Sequence, residues 1–147
     1  MGFYTQALIT LDCDDKTLLF ILLDQKGVIH RKGDGSSKGL TLPLVQGYSS
    51  LNYFEAFLTS VPRSIFDHPG VYKQQPYAGK IHTLSIVFVD ANGNDLALRA
   101  VYGDESQGPP SEMVQTLINA VKITETWYQN ELNPPIEGST KPWWKFW

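Results

Sequence analysis

Apolar and polar positions alternate most regularly between Thr83 and Tyr102, TLSIVFVDANGNDLALRAVY, on either side of Asn92-Gly93. An Asn-Gly pair between alternating apolar residues predicts a β-hairpin, because a two-residue type I′ turn needs positive φ at both central positions. With Asn92 and Gly93 as the loop, Ala91 faces Asn94, Asp90 faces Asp95, Val89 faces Leu96, Phe88 faces Ala97, Val87 faces Leu98 and Ile86 faces Arg99. Successive side chains point to opposite sides of a strand. Val87, Val89, Leu96 and Leu98 are therefore expected on one face, and Leu84, Ile86, Phe88, Ala97 and Val101 on the other, with Arg99. Two largely apolar faces predict a hairpin that is central in its sheet and covered on both sides near its middle. Asp90 opposite Asp95 is the one discord, and at a wet hairpin tip it costs little.

The rest of the chain supplies weaker patterns. Residues 4–13 alternate, with Ala7, Ile9 and Leu11 on one side and Gln6, Thr10 and Asp12 on the other, as a half-buried strand does. Residues 17–24, TLLFILLD, are a short apolar run between turns and suit a strand buried on both faces, although their leucines also permit a buried helical segment. Val28 to Lys32 returns as a third strand ending in charge, and residues 33–39 form a flexible polar loop. Residues 40–48 are extended, with Pro43 arguing for an edge or a non-strand path. Ser49-Ser50 offers an N-cap to a helix whose Leu51, Phe54, Phe57, Leu58 and Val61 share one side, and Pro62 ends it. Residues 63–80 read as irregular and aromatic. After the hairpin, Pro109-Pro110-Ser111-Glu112 opens a second helix, with Met113, Leu117, Val121 and Trp127/Tyr128 along one stripe to about residue 131. The order βββ-α-ββ-α predicts an α+β domain: an antiparallel sheet of about five strands with two helices packed mainly on one face. Residues 1–133 form that single domain, and residues 134–147 read as a linker and an aromatic C-terminal tail.

One internal echo crosses this layout. TLLFILLDQKGVIHRKGD and TLSIVFVDANGNDLALRAVYGD share Thr-Leu, an Asp six residues later, a Gly three beyond that and a closing Gly-Asp. A duplicated hairpin–loop–helix unit would produce this. So would any two hairpins whose turns demand Asp and Gly.

Composition narrows the class. At 147 residues and 42% hydrophobic, the chain has enough material for a real core without staples. Its net charge of −3 sets up no basic field for nucleic acid. The single cysteine, Cys13, forbids an internal disulfide and fits a reducing compartment. No run approaches the ~20 apolar residues of a membrane helix, and the N-terminus lacks the basic start of a signal peptide. Gly2 raises myristoylation only formally, since Gln6 stands where Ser or Thr is wanted. A cytoplasmic protein is expected.

No catalytic or metal motif stands out. Asp90 to Asp95 is faintly like a calcium loop, but the Gly and Glu that an EF-hand places sixth and twelfth are Asp95 and Val101 here. Gly33 to Gly39 superficially resembles a phosphate cradle, yet Lys38 precedes the last Gly and no helix follows. His30 and His82 fall in predicted strands of the two hairpins and could meet across the sheet, and Cys13 with them could compose a nucleophile–base pair. Two carboxylates follow Cys13, a poor setting for a thiolate, so a structural cysteine is the simpler reading. Asp67-His68-Pro69 reads as a capping Asp and a solvated His. Aromatic residues are the better candidates. Tyr72 and Tyr77 lie in the long 63–80 segment, and long structureless segments are often functional. The tail carries Trp143, Trp144, Phe146 and Trp147 with Lys141 and Lys145 among them. It could pack on the domain, dock a partner, or rest weakly on a membrane surface.

These features predict a small non-catalytic binding domain of the adaptor, inhibitor or immunity type. It would act on a protein partner through the exposed sheet face, the 63–80 segment or the tail, without cofactor, metal or nucleic acid. The alternative is a small hydrolase or ligand-binding enzyme with a histidine-containing pocket between the sheet and residues 63–80.

Overall fold

The computed structural model describes residues 4–67, 69–74, 79–103 and 108–133. Among these, seven strands form one sheet: β1 Tyr4–Cys13, β2 Lys16–Asp24, β3 Val28–Gly33, β4 Leu44–Tyr48, β5 Gly70–Gln74, β6 Ile81–Asp90 and β7 Asp95–Gly103. The helices are α1 Tyr53–Ser60 and α2 Ser111–Leu132. The strand order is β4-β3-β2-β1-β6-β7-β5, antiparallel throughout except for β5 against β7. The α+β class holds, and the count of about five strands does not. The additional strands are the two edges. β4 follows Pro43, which permits an edge strand and little else. β5 lies in the segment expected to be irregular, which instead forms a 3-10 turn, Arg63–Asp67, and a short parallel strand. Its partner β7 lies beyond it in sequence, so nothing in its five residues announces the pairing.

The centre of the sheet is β1, not the hairpin. β1 pairs with β2 on one side and β6 on the other, aligning Ala7 with Leu23 and Phe88, Ile9 with Ile21 and Ile86, and Leu11 with Leu19 and Leu84. These residues are buried, and with Ile29, Leu98 and Ala100 they form the sheet side of the core. From α1 come Phe54 and Phe57, and from α2 Met113, Ala120, Trp127 and Tyr128. Phe57 stacks on Phe88 at 6.2 Å. A register shift between Tyr4 and Gln6 accompanies Tyr4 joining this layer, stacked on Phe66 at 5.5 Å. Both helices thus cover the same side of the sheet. Asn52, rather than Ser49 or Ser50, caps α1: its Oδ1 accepts the Glu55 N–H at 2.9 Å, leaving Leu51 outside the helix and exposed.

The β6–β7 hairpin corrects the expected register by one residue. Val89 pairs with Asp95, Phe88 with Leu96, Val87 with Ala97 and Ile86 with Leu98. The cause is Asp90, whose Oδ1 accepts the N–H groups of both Asn92 and Asn94 at 2.9 and 3.0 Å. The side chain closes a longer turn with positive φ at Gly93 and not at Asn92, so the two-residue type I′ loop does not form. A one-residue slip exchanges the faces of one strand relative to the other. Leu84, Ile86, Phe88, Leu96, Leu98 and Ala100 therefore share the core side, and Val87, Val89, Ala97, Arg99 and Val101 the opposite side. Among the described residues the hairpin is covered on one face rather than two, and Asp90 does not oppose Asp95.

The β2–β3 turn repeats this chemistry. Asp24 Oδ1 accepts the N–H groups of Lys26 and Val28 at 2.9 and 3.0 Å, and Gly27 takes positive φ, as Gly93 does. The shared Asp and Gly of the sequence echo are the two residues this turn requires.

A buried arginine ties the sheet to α2. Arg31 on β3 points to the core side, and its guanidinium donates to Gly33 O, Val121 O, Thr124 Oγ1 and Glu125 Oε1. Tyr128 donates its hydroxyl to Pro43 O at 2.6 Å and accepts the Gly33 N–H at 2.9 Å. The polar segment after β3 is thereby held as a turn, with a 3-10 segment at Ser37–Leu40. Its Asp34 feels burial pushing its carboxyl up, but hydrogen bonds from Ser36, its own backbone N–H and the charge of Arg31 hold it below the usual carboxylate value.

Candidate functional site

Strand alternation under a one-sided helical layer leaves the second face of the sheet without a helix among the described residues. Cross-strand register assembles what that face presents. Leu8 on β1 lies between Leu22 on β2 and Val87 on β6. Beyond Leu22 come His30 and then Gln46, and beyond Val87 comes Ala97. The next row runs Leu44, Lys32, Phe20, Thr10, Ser85, Arg99 and Val71. Leu8, Phe20, Leu22, Val87 and Val89 are partly exposed and lie outside the helix-side core. Exposure rises toward the edges, where Leu44, Val71 and Tyr48 are 47, 60 and 70% exposed. The result is an apolar centre bordered by Gln6, Thr10, Ser85, His30 and Arg99. Arg99 donates from Nε to Ser85 Oγ at 3.1 Å, so its charge is directed along the sheet.

Of the described residues singled out from sequence, Cys13 and His82 are brought together and His30 and Tyr72 are not. His30 stands on this open face, in β3. His82 stands on the helix side of β6, opposite Cys13 on β1 and Tyr102 on β7, and its ring stacks on Tyr102 at 5.0 Å. Two strands and opposite faces separate the histidines, so they do not meet across the sheet as expected. Tyr72 is a partly buried β5 residue facing the core side, where it lines a cavity of about 280 Å³ with Ser64, Ile65, Leu98, Glu112 and Met113. That cavity lies between the sheet and the 63–74 segment, and no described histidine lines it. His68, Tyr77 and the tail residues Trp143, Trp144, Phe146 and Trp147 lie outside the described residues.

Sequence reasoning assigned Val87 and Val89 to the same face as Leu96 and Leu98, and so missed that they belong to a surface that no described helix covers. Leu8 was missed because the alternation of residues 4–13 reads its side of the strand as wet, and Phe20 and Leu22 because the continuous apolar run over 17–24 reads as buried on both sides. Among the described residues no group of three or more His, Cys, Asp or Glu side chains could hold a metal ion, and no helix is long and apolar enough to cross a membrane. No known protein-family model matches the chain, and no curated protein matches it significantly.

Proposed function

We propose that this chain is a non-catalytic binding domain whose uncovered sheet face docks a protein partner. The observation that carries this reading is the cluster of Leu8, Phe20, Leu22, Val87 and Val89, contiguous across three strands and without a helix over it among the described residues. Contiguous exposed apolar surface is uncommon on a chain that acts alone, and an apolar centre with a polar border is the anatomy of protein interfaces. The border carries two cations, Lys32 hydrogen-bonded to Thr17 O and Gly39 O and Arg99 to Ser85 Oγ. The apolar centre calls for a flat apolar patch on the partner. The aromatic tail belongs to the same reading as a second adhesive element, on the strength of its three tryptophans alone.

The test is a photoreactive benzoyl-phenylalanine at position 22, on the open face, and in a second protein at position 122, on the exposed side of α2. Illumination in cells should yield one adduct of defined mass from position 22. That adduct should vanish when Phe20→Glu and Val87→Glu are added, while melting stays near the parent. Equal adducts from both positions, or none from position 22, would overturn the reading. Light scattering of the purified chain separates a second copy from a different protein as the partner.

A further inference from the structure

We propose that the outer edge of β4 pairs with the β4 edge of a second copy, antiparallel, so that one sheet runs through a dimer. The direction of the strand's hydrogen bonds is set by its neighbour. Opposite residues of β3 and β4 are Val28 and Tyr48, Ile29 and Gly47, His30 and Gln46, Arg31 and Val45, and Lys32 and Leu44. One step beyond this ladder the Ser49 N–H donates to Gly27 O at 2.9 Å. Hydrogen-bonded and non-hydrogen-bonded pairs alternate along an antiparallel ladder. Val45 and Gly47 therefore turn their N–H and C=O groups to β3, and Leu44, Gln46 and Tyr48 turn theirs outward. β4 is the last strand on its side of the sheet, and no described residue takes up those outward groups.

The two edges of the sheet are finished differently. Proteins blunt an edge strand with charge, above all with lysine. At the far edge, β5 carries Lys73. β4, LVQGY, carries no charge and sits within residues 40–54, the longest uncharged stretch of the chain. Of the six exposed large hydrophobic residues among those described, four belong to this stretch: Leu40, Leu44, Tyr48 and Leu51. Exposed apolar surface is thus gathered at the edge that has no charge to keep other strands away.

The occupant is a second copy because this edge is complementary to itself. A two-fold contact brings the same patch from both sides, and an uncharged patch meets its own copy without like-charge repulsion. The outward groups set the register. With the axis at Gln46, Gln46 faces Gln46 of the second copy and Leu44 faces its Tyr48, and each facing pair exchanges both N–H···O bonds. Leu44 and Tyr48, both on the open side, cover each other across the junction and lose apolar surface to it. An antiparallel junction also keeps the helices of both copies on one side. The contact is separate from the apolar centre on β1, β2 and β6 and does not depend on what docks there.

The test is sedimentation velocity of the full chain over concentrations from about 1 to 100 μM, where small interfaces associate. The mass should rise from that of one chain, 16.5 kDa, toward twice that. Gln46→Lys and Gln46→Glu each set like charges opposite each other on the axis, and each should sediment as a single chain with the circular dichroism of the parent, since Gln46 is exposed. Mixed in equal amounts, the two variants should dimerise again, as only a contact with position 46 facing itself allows. Val71→Lys, on the other edge, should leave the parent's dimer intact. A parent that sediments as one chain throughout overturns the proposal, and so does a mixture that stays monomeric. A dimer that Gln46→Lys leaves intact overturns it as well: its loss with Phe20→Glu and Val87→Glu would assign the contact to the open face, and its loss on deleting residues 139–147 would assign it to the tail.

Discussion

The guanidinium of Arg31 lies 4.5 Å from the centre of the Tyr128 ring, fully buried, with its other end 2.7 Å from Glu125. One cation therefore joins a strand, a helix and, through the Tyr128 hydroxyl, the turn before β4. Its polar groups are satisfied by two backbone carbonyls and Thr124 as well as by Glu125, whose own side chain is 43% exposed. Arg31→Ala leaves a large cavity and should cost about 3–5 kcal/mol. Arg31→Met keeps volume and removes the buried charge, and should cost clearly less. Glu125→Gln keeps an acceptor at a half-wet site and should cost about 1 kcal/mol or less. Urea unfolding of the three variants checks the order, and a Met variant as unstable as the Ala variant would show that the charge itself, rather than the packed volume, holds α2.

The hairpin gives a sharper contrast. Leu98 is 3% exposed on the core side, whereas Val87 is partly exposed between Leu8 and Ala97. Leu98→Asp places an unpaired charge in the core and should abolish soluble folding, at a cost of several kcal/mol against a total stability of ~5–15. Val87→Asp should remain folded, with a loss on the order of 1 kcal/mol. Under the two-residue loop expected from Asn92-Gly93, the two substitutions would have been equally damaging. Melting curves of the pair therefore report the register directly.

These cases show what the chain discloses about itself and where it stops. The strands over 4–13, 17–24 and 28–32, both helices and the core side of β1 are legible because apolar periodicity is local. The face carried by Val87 and Val89 was misassigned because a side chain, Asp90, altered the turn, and a turn error of one residue propagates along the whole strand. β5 was invisible because its pairing with β7 is parallel and non-local. Arg31 read as a charged strand end, since a buried cation is legible only once Glu125, Thr124 and Tyr128 arrive from the other end of the chain. The open face shares that obscurity: Leu8, Leu22 and Val87 are apolar in sequence whether or not a helix covers them.

Gly27 and Gly93 share a turn chemistry and both take positive φ, at +104° and +85°. Their surroundings differ. A Cβ at Gly93 meets nothing within 4 Å, whereas one at Gly27 would lie 2.5 Å from the Ser49 carbonyl oxygen. Gly93→Ala should therefore cost only the backbone penalty, about 1–2 kcal/mol. Gly27→Ala should cost that and more, since it pushes β3 from the segment that follows β4. Equal losses by chemical denaturation would show that the backbone conformation, not the contact, sets both.

Alkaline pH tests the packing of Tyr102, which pairs with His82 on β6, itself paired with Cys13 on β1. Burial, and secondarily negative charge on Cys13, push the Tyr102 phenol above its ordinary pKa. The unfolded chain then loses this proton before the native chain does. Stability from Tyr102 is fully present below the ordinary tyrosine value of about 10 and is lost as pH rises through the folded value. Tyr102→Phe should flatten that alkaline decline. Cys13→Ser should lower the phenol's titration midpoint partway, because burial remains. Ultraviolet titration of phenolate reads both, and a Tyr102 midpoint that ignores Cys13→Ser would separate the phenol from the thiol.

The tail and the open face make separable contributions under the proposed function. The core formed by the described residues lies within residues 4–133, and α2 ends with the Asn133 N–H bonded to Gln129 O. Deleting residues 139–147 should therefore shift the melting temperature by less than about 2 °C, equivalent to roughly 0.5 kcal/mol for a domain of this size. The same deletion should weaken the adduct formed from position 22 without abolishing it, whereas Phe20→Glu with Val87→Glu should abolish it with the tail present. Co-sedimentation with phosphatidylserine vesicles asks whether the tryptophans and lysines find a membrane surface instead: binding lost on truncation would assign the tail to lipid. A large fall in melting temperature would mean that the tail packs against the domain, and the adhesive role would fall with it.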